Sequence, residues 1–266
     1  MLAQQRHALI LELSNKNGIV HTSELVKRLG VSSETIRKDL AFLEQEGQVV
    51  RVHGGAMPTE KAGAASLLNP REASHEYVSF QIRNTQHMEQ KAAITNYAAS
   101  IIKENQVIAL DYGSTSQMMA MVLKKQFKSL TVITNSIQNA LILSECPNFT
   151  IILTGGILSK EELTLVNDFT PILDHLHIDI LFMTVSGVDP VIGFTDQRFS
   201  EARLQNQMRQ AASRTIVLAD SSKFGKSSLV KICALKDVDT IITDSGLPAS
   251  IEQAIRKAGS ELVIVP

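Results

Sequence analysis

The sequence predicts a two-part α/β protein: a small three-helix unit closed by a β-hairpin, then a larger unit built on a parallel sheet. Two observations carry this prediction. In residues 1–57 apolar residues recur at helical spacing in three short stretches, and a Val-rich alternating run follows the last of them. From about residue 106 onward, short continuous apolar runs alternate with helical stretches, the pattern of strands covered on both faces.

Taken in order, Gln5 to Leu13 forms a first helix that buries Leu9, Ile10 and Leu13. Thr22 opens a second, with Leu25, Val26 and Leu29 on one face and Glu24 in the first turn, where an acid favours the helix dipole. Gly30 ends it, because the turn needs a residue that tolerates positive φ. Ser32 caps a third helix with Ile36, Leu40 and Leu43 on its apolar stripe, and Gly47 stops it. Gln48 to Val52 is the first hairpin strand and His53-Gly54-Gly55 its turn. Three helices and such a wing make a winged helix-turn-helix.

The third helix leaves Ser33, Glu34, Thr35, Arg37, Lys38 and Ala41 off the apolar stripe. A dry face with a hydrogen-bonding, cationic face opposite suits a helix that packs on its neighbour and lies in a DNA major groove. Thr35, Arg37 and Lys38 are the leading candidates for base or phosphate contacts, with Ser33 supporting them. Arg51 and His53 alternate with Val50 and Val52, so the wing presents both away from the core, toward backbone or minor groove.

Residues 58–78 form a linker, rich in Ala, Gly and Ser between Pro58 and Pro70, and the second unit spans 79–266. Strands are expected at 106–111, 130–134, 149–156, 179–187, 214–222 and 239–244, with a last one in ELVIVP. Helices fill the gaps: Ala92 to Lys103, one from the Gly113-Ser114-Thr115 turn to about Lys125, one capped by Ser136, Ser200 to Ser213, and Pro248 to Ala258.

The 266 residues are 44% hydrophobic and 20% charged, with a formal net charge of −1, so no bulk charge steers the chain to DNA or to a membrane. The polar start MLAQQRHAL lacks the apolar core of a signal peptide, and no apolar run approaches a membrane span, so a cytoplasmic protein is expected. Cys146 and Cys233 sit alone in apolar surroundings and read as buried free thiols rather than a disulfide or metal site. Neither a metal nor a cofactor is expected.

In open parallel sheets, ligands gather at the carboxyl ends of strands. Five polar or Gly-rich loops fall there: Asp111-Tyr112-Gly113-Ser114-Thr115, Thr134-Asn135-Ser136, Thr154-Gly155-Gly156, Ser186-Gly187-Val188-Asp189, and Asp220 to Gly225. Free N–H groups at helix starts, beside Ser and Thr hydroxyls, form an anion cradle. Convergence of five such loops on one sheet edge points to a small polar or phosphorylated ligand.

The pattern S-x-x-T-I-R-K-D-L-x-x-L-E-x-x-G from Ser32, followed by R-x-H-G-G-A from Arg51, closely resembles the N-terminal signature of the DeoR family of bacterial transcriptional regulators. The resemblance continues through F-x-x-R at Phe80 to Arg83, Lys91, D-x-G-S-T, T-N-S, G-G and D-S-S-K-F-G. It implies a Rossmann-like effector domain, similar to ribose-5-phosphate isomerase and CoA-transferase folds, that senses a phosphorylated sugar or related intermediate. Carried over by position, Arg83, Lys91 and Lys223 are the cations around a phosphate, and Asp220 orients Lys223 or binds a hydroxyl. Asp111 and Asp189 accept from other hydroxyls. Gly113, Ser114, Thr115, Thr134, Asn135, Gly155, Gly156 and Gly187 complete the expected effector site. Asn167 and Asp168 stand near a position where the family usually has Gly, which points to altered local ligand chemistry.

The rival reading is a sugar-phosphate isomerase with an accessory DNA-binding unit. Such enzymes need a carboxylate base and a cation for the enediolate. The related isomerases carry D-G-x-D-E and K-G-G-G, whereas this chain has Ser186-Gly187-Val188-Asp189-Pro190 and no K-G-G-G. The expectation is therefore a regulator without enzyme activity. It is a homo-oligomeric repressor of a carbohydrate catabolic operon, reading operator half-sites with paired recognition helices.

Overall fold

The structure, a computed structural model, describes residues 3–17, 20–46, 48–52, 55–58, 78–166 and 172–266. The chain divides into two compact units, Met1–Ser74 and His75–Pro266.

The first unit contains α1 (Ala3–Asn17), β1 (Val20–His21), α2 (Thr22–Leu29), α3 (Ser33–Gln45), β2 (Val49–Val52) and β3 (Gly55–Pro58). Its strands form one antiparallel sheet in the order β1-β3-β2. The helical spacing read from the sequence becomes one core of Ile10, Leu13, Leu25, Ile36, Leu40 and Leu43, closed by Val20, Val49 and Ala56 from the sheet. Each aliphatic side chain so buried contributes about 1.5–3 kcal/mol. Gly30 adopts φ +66° and its N–H bonds the Val26 carbonyl, ending α2 where the turn requires a left-handed residue. Thr22 opens α2 as expected, whereas α1 extends beyond the expected Gln5–Leu13 at both ends and Pro58 belongs to the wing strand rather than to a linker. The Gly47 stop and the His53-Gly54 part of the wing turn lie outside the described residues, as do Asn167 and Asp168.

The second unit begins with two helices, α4 (Phe80–Thr85) and α5 (Met88–Ala99), so α5 starts and ends four residues before the expected Ala92–Lys103 helix. Then follow β4 (Val107–Leu110), α6 (Ser114–Gln126), β5 (Thr131–Thr134), α7 (Ile137–Leu143) and β6 (Thr150–Leu153). A hairpin of β7 (Ile157–Ser159) and β8 (Thr164–Val166) precedes β9 (Ile178–Thr184), β10 (Gly187–Asp189) and β11 (Gly193–Asp196). The chain closes with α8 (Phe199–Ala211), β12 (Ala212–Leu218), β13 (Val230–Cys233), β14 (Thr240–Asp244), α9 (Ala249–Ala258) and β15 (Glu261–Val265).

Seven of these strands form one parallel sheet in the order β15-β14-β12-β9-β4-β5-β6. Successive strand residues point to opposite faces, and the core divides accordingly. Ile108, Leu110, Ile180 and Phe182 pack with α5, α6 and α7, while Ala109, Leu181 and Met183 pack with α8 and α9. Two small additions carry no sequence signature: the β7–β8 hairpin, and an antiparallel β10-β11-β13 sheet. Their strands run three or four residues, too short for alternation to register.

Among the described residues no helix is long and apolar enough to cross a membrane, and no His, Cys, Asp and Glu cluster could hold a metal. Both cysteines are free. Cys233 is buried, which pushes its thiol up to about 11, but Cys146 is only half-buried, against expectation.

Candidate functional site

In the first unit, α3 has a fixed face and an open one. Asp39 is buried and accepts from Arg6 Nε at 2.7 Å, Arg6 NH2 at 3.0 Å and His7 Nε2 at 2.9 Å, anchoring α3 to α1. Burial alone would raise the Asp39 carboxyl, but the hydrogen bonds from Arg6 and His7 outweigh it and hold it below the usual range. The His7 ring stacks on Phe42 with centroids 4.9 Å apart. Ser33, Arg37 and Lys38 are exposed on the other side. Arg37 approaches Glu34 at 3.8 Å with both side chains about two-thirds exposed, a contact worth little in water. Because Asp39 turns inward, the exposed face is more cationic than the sequence's balanced charge suggested. Thr35 is a partial correction: it is half-buried and its hydroxyl bonds the Ser32 cap at 2.9 Å, so its first role is to start the helix. Arg51 stands on β2; its side chain and all of His53 lie outside the described residues.

In the second unit, the strand order reverses between β4 and β9. Chain order runs outward from β4 through β5 to β6 on one side, and from β9 through β12 and β14 to β15 on the other. Connections leave a crevice at the carboxyl ends of such a pair. A cleft lies there, lined by Tyr112, Gly113, Ser114 and Thr115 after β4, Thr184 to Ser186 after β9, and Leu218 to Asp220 after β12. Arg83, Gln86, His87, Lys91, Asp196, Ser222 and Lys223 complete its wall.

Gly113 caps α6 with φ +104° and no side-chain cap bond, so the first-turn N–H groups of α6 have no side chain folded over them. A helix start of this kind attracts anions. A Cβ added at Gly113 would stand 3.5 Å from both Arg83 NH1 and Thr184 Oγ1, which places that guanidinium beside the helix start.

The three cations differ in how they are held. Lys91 Nζ donates to the Arg83 carbonyl at 2.5 Å and the Gln86 carbonyl at 2.6 Å, closing the α4–α5 turn in which His87 takes a left-handed φ of 54°. Burial, with Lys223 and Arg83 nearby, pushes the Lys91 ammonium down to about 8, although Asp220 opposes the shift. Arg83 NH2 pairs with Glu162 from the β7–β8 turn, and its Nε donates to the Val78 carbonyl at 2.9 Å. The Lys223 ammonium has no hydrogen-bond or ion-pair partner among the described residues. Burial pushes it down, Asp220 opposing. Asp220 caps the short turn Ser221–Lys223 by accepting from the Ser222 N–H and hydroxyl, and so positions Lys223.

Seven expected effector residues are not brought to this cleft. Asp111 is fully buried and accepts from the Thr184 N–H at 2.7 Å and Gln205 Nε2 at 2.9 Å, tying β4 to β9 and α8. Burial raises its carboxyl to about 8. Thr134 Oγ1 accepts from the Ser136 N–H, and the Asn135 carbonyl accepts from the Leu165 N–H of β8 at 2.7 Å, so the hairpin covers that loop. Gly155 and Gly156 turn the chain from β6 into β7 at φ +75° and +117°. Gly187 begins β10, where an added Cβ would meet the Lys226 carbonyl oxygen at 2.6 Å. Asp189 accepts from the Val191 and Ile192 N–H groups, both at 2.8 Å, within the β10–β11 turn. Three loops therefore converge, not five. The sequence reading did not single out Tyr112, Thr184, Ser186 or Asp196 as ligand contacts, although Tyr112 and Ser186 lay inside quoted loops.

The DeoR-like helix-turn-helix domain is matched by residues 6–62, and the DeoR C terminal sensor domain by residues 86–245. The chain is 32% identical over 260 residues to the HTH-type transcriptional regulator GolR of Listeria innocua serovar 6a, covering 97% of each. This chain belongs to the DeoR family.

As a DeoR-family member it is a DNA-binding transcriptional regulator, with α3 in its helix-turn-helix and the cleft in its sensor domain. It is also 32% identical to the putative aga operon transcriptional repressor of Escherichia coli O157:H7, covering 98% of this chain and 93% of that protein. The L-fucose operon activator of Haemophilus influenzae is 32% identical, covering 93% of this DeoR-family chain and 94% of the activator. Among solved structures, a D-ribose-5-phosphate isomerase in complex with phospho-erythronic acid is similar over 51% of this chain and 53% of that one, at 20% identity and TM-score 0.39.

Proposed function

We propose that this regulator represses a carbohydrate catabolic operon as a homo-oligomer, and that a phosphorylated sugar or related metabolite in the cleft sets its operator affinity. Residues 1–58 act as the DNA reader and 79–266 as the sensor. One observation carries the ligand class: the unpartnered Lys223 ammonium lines the same switch-point cleft as the open start of α6. A half-buried cation with no partner among the described residues, next to free helix N–H groups, suits a phosphate monoester. Repression of sugar catabolism rests on relatives such as the aga repressor, and exposed Ser33, Arg37 and Lys38 support the operator contacts. The absence of enzyme activity is supported by Asp189, whose carboxylate is tied into a turn away from the cleft.

The test is a gel-shift titration on the DNA upstream of the adjacent operon, repeated with sugar phosphates. A tenfold loss of operator affinity needs a coupling of only about 1.4 kcal/mol. Lys223→Ala protein should bind DNA normally and fail to respond. A variant that still releases DNA fully with the same metabolite would sink the cleft assignment.

A further inference from the structure

Asp196, at the end of β11, is 3% exposed yet lines the cleft. Its Oδ1 accepts from the Tyr112 hydroxyl at 2.9 Å, from the Gln197 N–H at 2.5 Å and from Ser186 Oγ at 3.5 Å. Among the described residues it has no ion-pair partner in contact, although Arg83 and Lys223 lie close enough to interact with it through space. A turn cap at a surface would do without this burial. The Arg198 N–H is a further backbone donor, so this dry carboxylate beside a cluster of cations sits among donors, where another hydroxyl is welcome and a second anion is repelled. Tyr112, 5% exposed on the β4 side of the cleft, brings a phenolic hydroxyl to the same point, and Ser186 a third hydroxyl from the β9 side. Burial raises both the Asp196 carboxyl and the Tyr112 phenol.

We infer that Tyr112 and Asp196 form the hydroxyl-reading end of the cleft, so that its ligand is a monophosphate ester of a polyol or sugar and not a bisphosphate or a phosphorylated acid. This rests on the reading of the cleft as a phosphate site. Lys223 and the α6 start hold the phosphate, and the ligand's hydroxyls donate to Asp196 and exchange hydrogen bonds with Tyr112. The role expected of Asp111 and Asp189 thus passes to a carboxylate from a different strand. A ligand bearing carboxylate or phosphate at its far end would set two negative charges against each other in a dry site, which is how the site rejects it.

The test uses the full-length protein in calorimetry with four probes: inorganic phosphate, n-propyl phosphate, glycerol 3-phosphate and 3-phosphoglycerate. Glycerol 3-phosphate and propyl phosphate share a skeleton and differ in two hydroxyls. Glycerol 3-phosphate and 3-phosphoglycerate differ in whether the far end is a hydroxyl or a carboxylate. Hydrogen bonds to a charged group predict that glycerol 3-phosphate binds roughly tenfold more tightly than either partner. In Asp196→Asn the discrimination against 3-phosphoglycerate shrinks, and in Tyr112→Phe the ratio of glycerol 3-phosphate to propyl phosphate affinity falls. If inorganic phosphate binds but propyl phosphate or 3-phosphoglycerate matches glycerol 3-phosphate, the hydroxyl-reading end is refuted while the phosphate site stands. The same holds if no ester improves on inorganic phosphate. If none of the four binds, both readings fall together.

Discussion

Arg83 NH2 donates to both carboxylate oxygens of Glu162, at 2.5 and 2.6 Å, and so joins α4 to the turn of the β7–β8 hairpin. The pair is lopsided: the Glu162 side chain is 1% exposed and that of Arg83 is 22%. Removing the arginine takes a cationic partner from a buried carboxylate, whereas neutralising the glutamate leaves a cation that can reach water. Arg83→Met should therefore destabilise the second unit by about 3–5 kcal/mol in urea unfolding, and Glu162→Gln by clearly less. Equal losses would show that the pair is not the main contact of either residue.

Lys91 makes stability depend on pH. Its pKa falls from the ordinary 10.5 to about 8 on folding, so between these values the folded chain binds fewer protons than the unfolded one. Stability therefore rises with pH across that window, by at most about 1.4 kcal/mol per unit, and below pH 8 the full cost of the buried ammonium is present. Lys223 adds to this slope and Cys233 opposes it above about pH 9, so chemical denaturation from pH 7.5 to 10 should show a smaller rise in Lys91→Met than in the wild type. An unchanged slope in the variant would assign the effect to another group.

The exposed face of α3 can be separated into two kinds of contact. Arg37→Ala should cost about 1–3 kcal/mol of operator binding and relax preference at one base pair, if its guanidinium reads a base edge. A Lys38→Ala change at a phosphate should weaken binding to all sequences alike and lower the salt slope by about one. Gel shifts at two salt concentrations distinguish these outcomes. Unchanged affinity in either variant removes that residue from the interface.

Gly187 and Gly155 stood together as expected ligand contacts, yet the structure gives them different burdens. A Cβ at Gly187 would meet the Lys226 carbonyl oxygen at 2.6 Å and Thr195 Oγ1 at 2.8 Å, while one at Gly155 meets nothing within 4 Å. Gly187→Ala should cost about 2 kcal/mol or more through overpacking. Gly155→Ala should cost about 1 kcal/mol for its φ of +75° alone. Thermal unfolding of the two variants checks the order, and a reversed order would contradict this account.

What could be read before folding was governed by length and period. The stripe Ile36, Leu40, Leu43 and the apolar runs of the parallel sheet span enough residues for their periodicity to register, so α3 and the seven strands were legible. The three-residue strands β7, β8 and β10 were not. That omission spread to the site, because β8 covers the Thr134-Asn135 loop and removes it from the cleft. Nor could sequence tell which carboxylates line the cleft. Asp111 sits in a recognisable motif and is consumed by Thr184 and Gln205, while Asp196 reaches the cleft only because β11 folds back beside it. Asp39 illustrates the same limit in the first unit, since its inward turn toward Arg6 depends on where α1 packs.

The reversal of strand order between β4 and β9 has a consequence for the lifetime of the protein. The cleft draws on residues from Arg83 to Lys223, so it comes into being only when the two halves of the sheet have met. A metabolite held there binds the native state and no half-formed one. At a hundred times its dissociation constant it adds about 2.7 kcal/mol to folding, a hundredfold cut in the population open to proteases where cleavage waits on global unfolding. Under the proposed function, the metabolite that loosens the regulator from DNA also preserves it, so that the pool of repressor is fullest at the moment the sugar runs out and repression has to return.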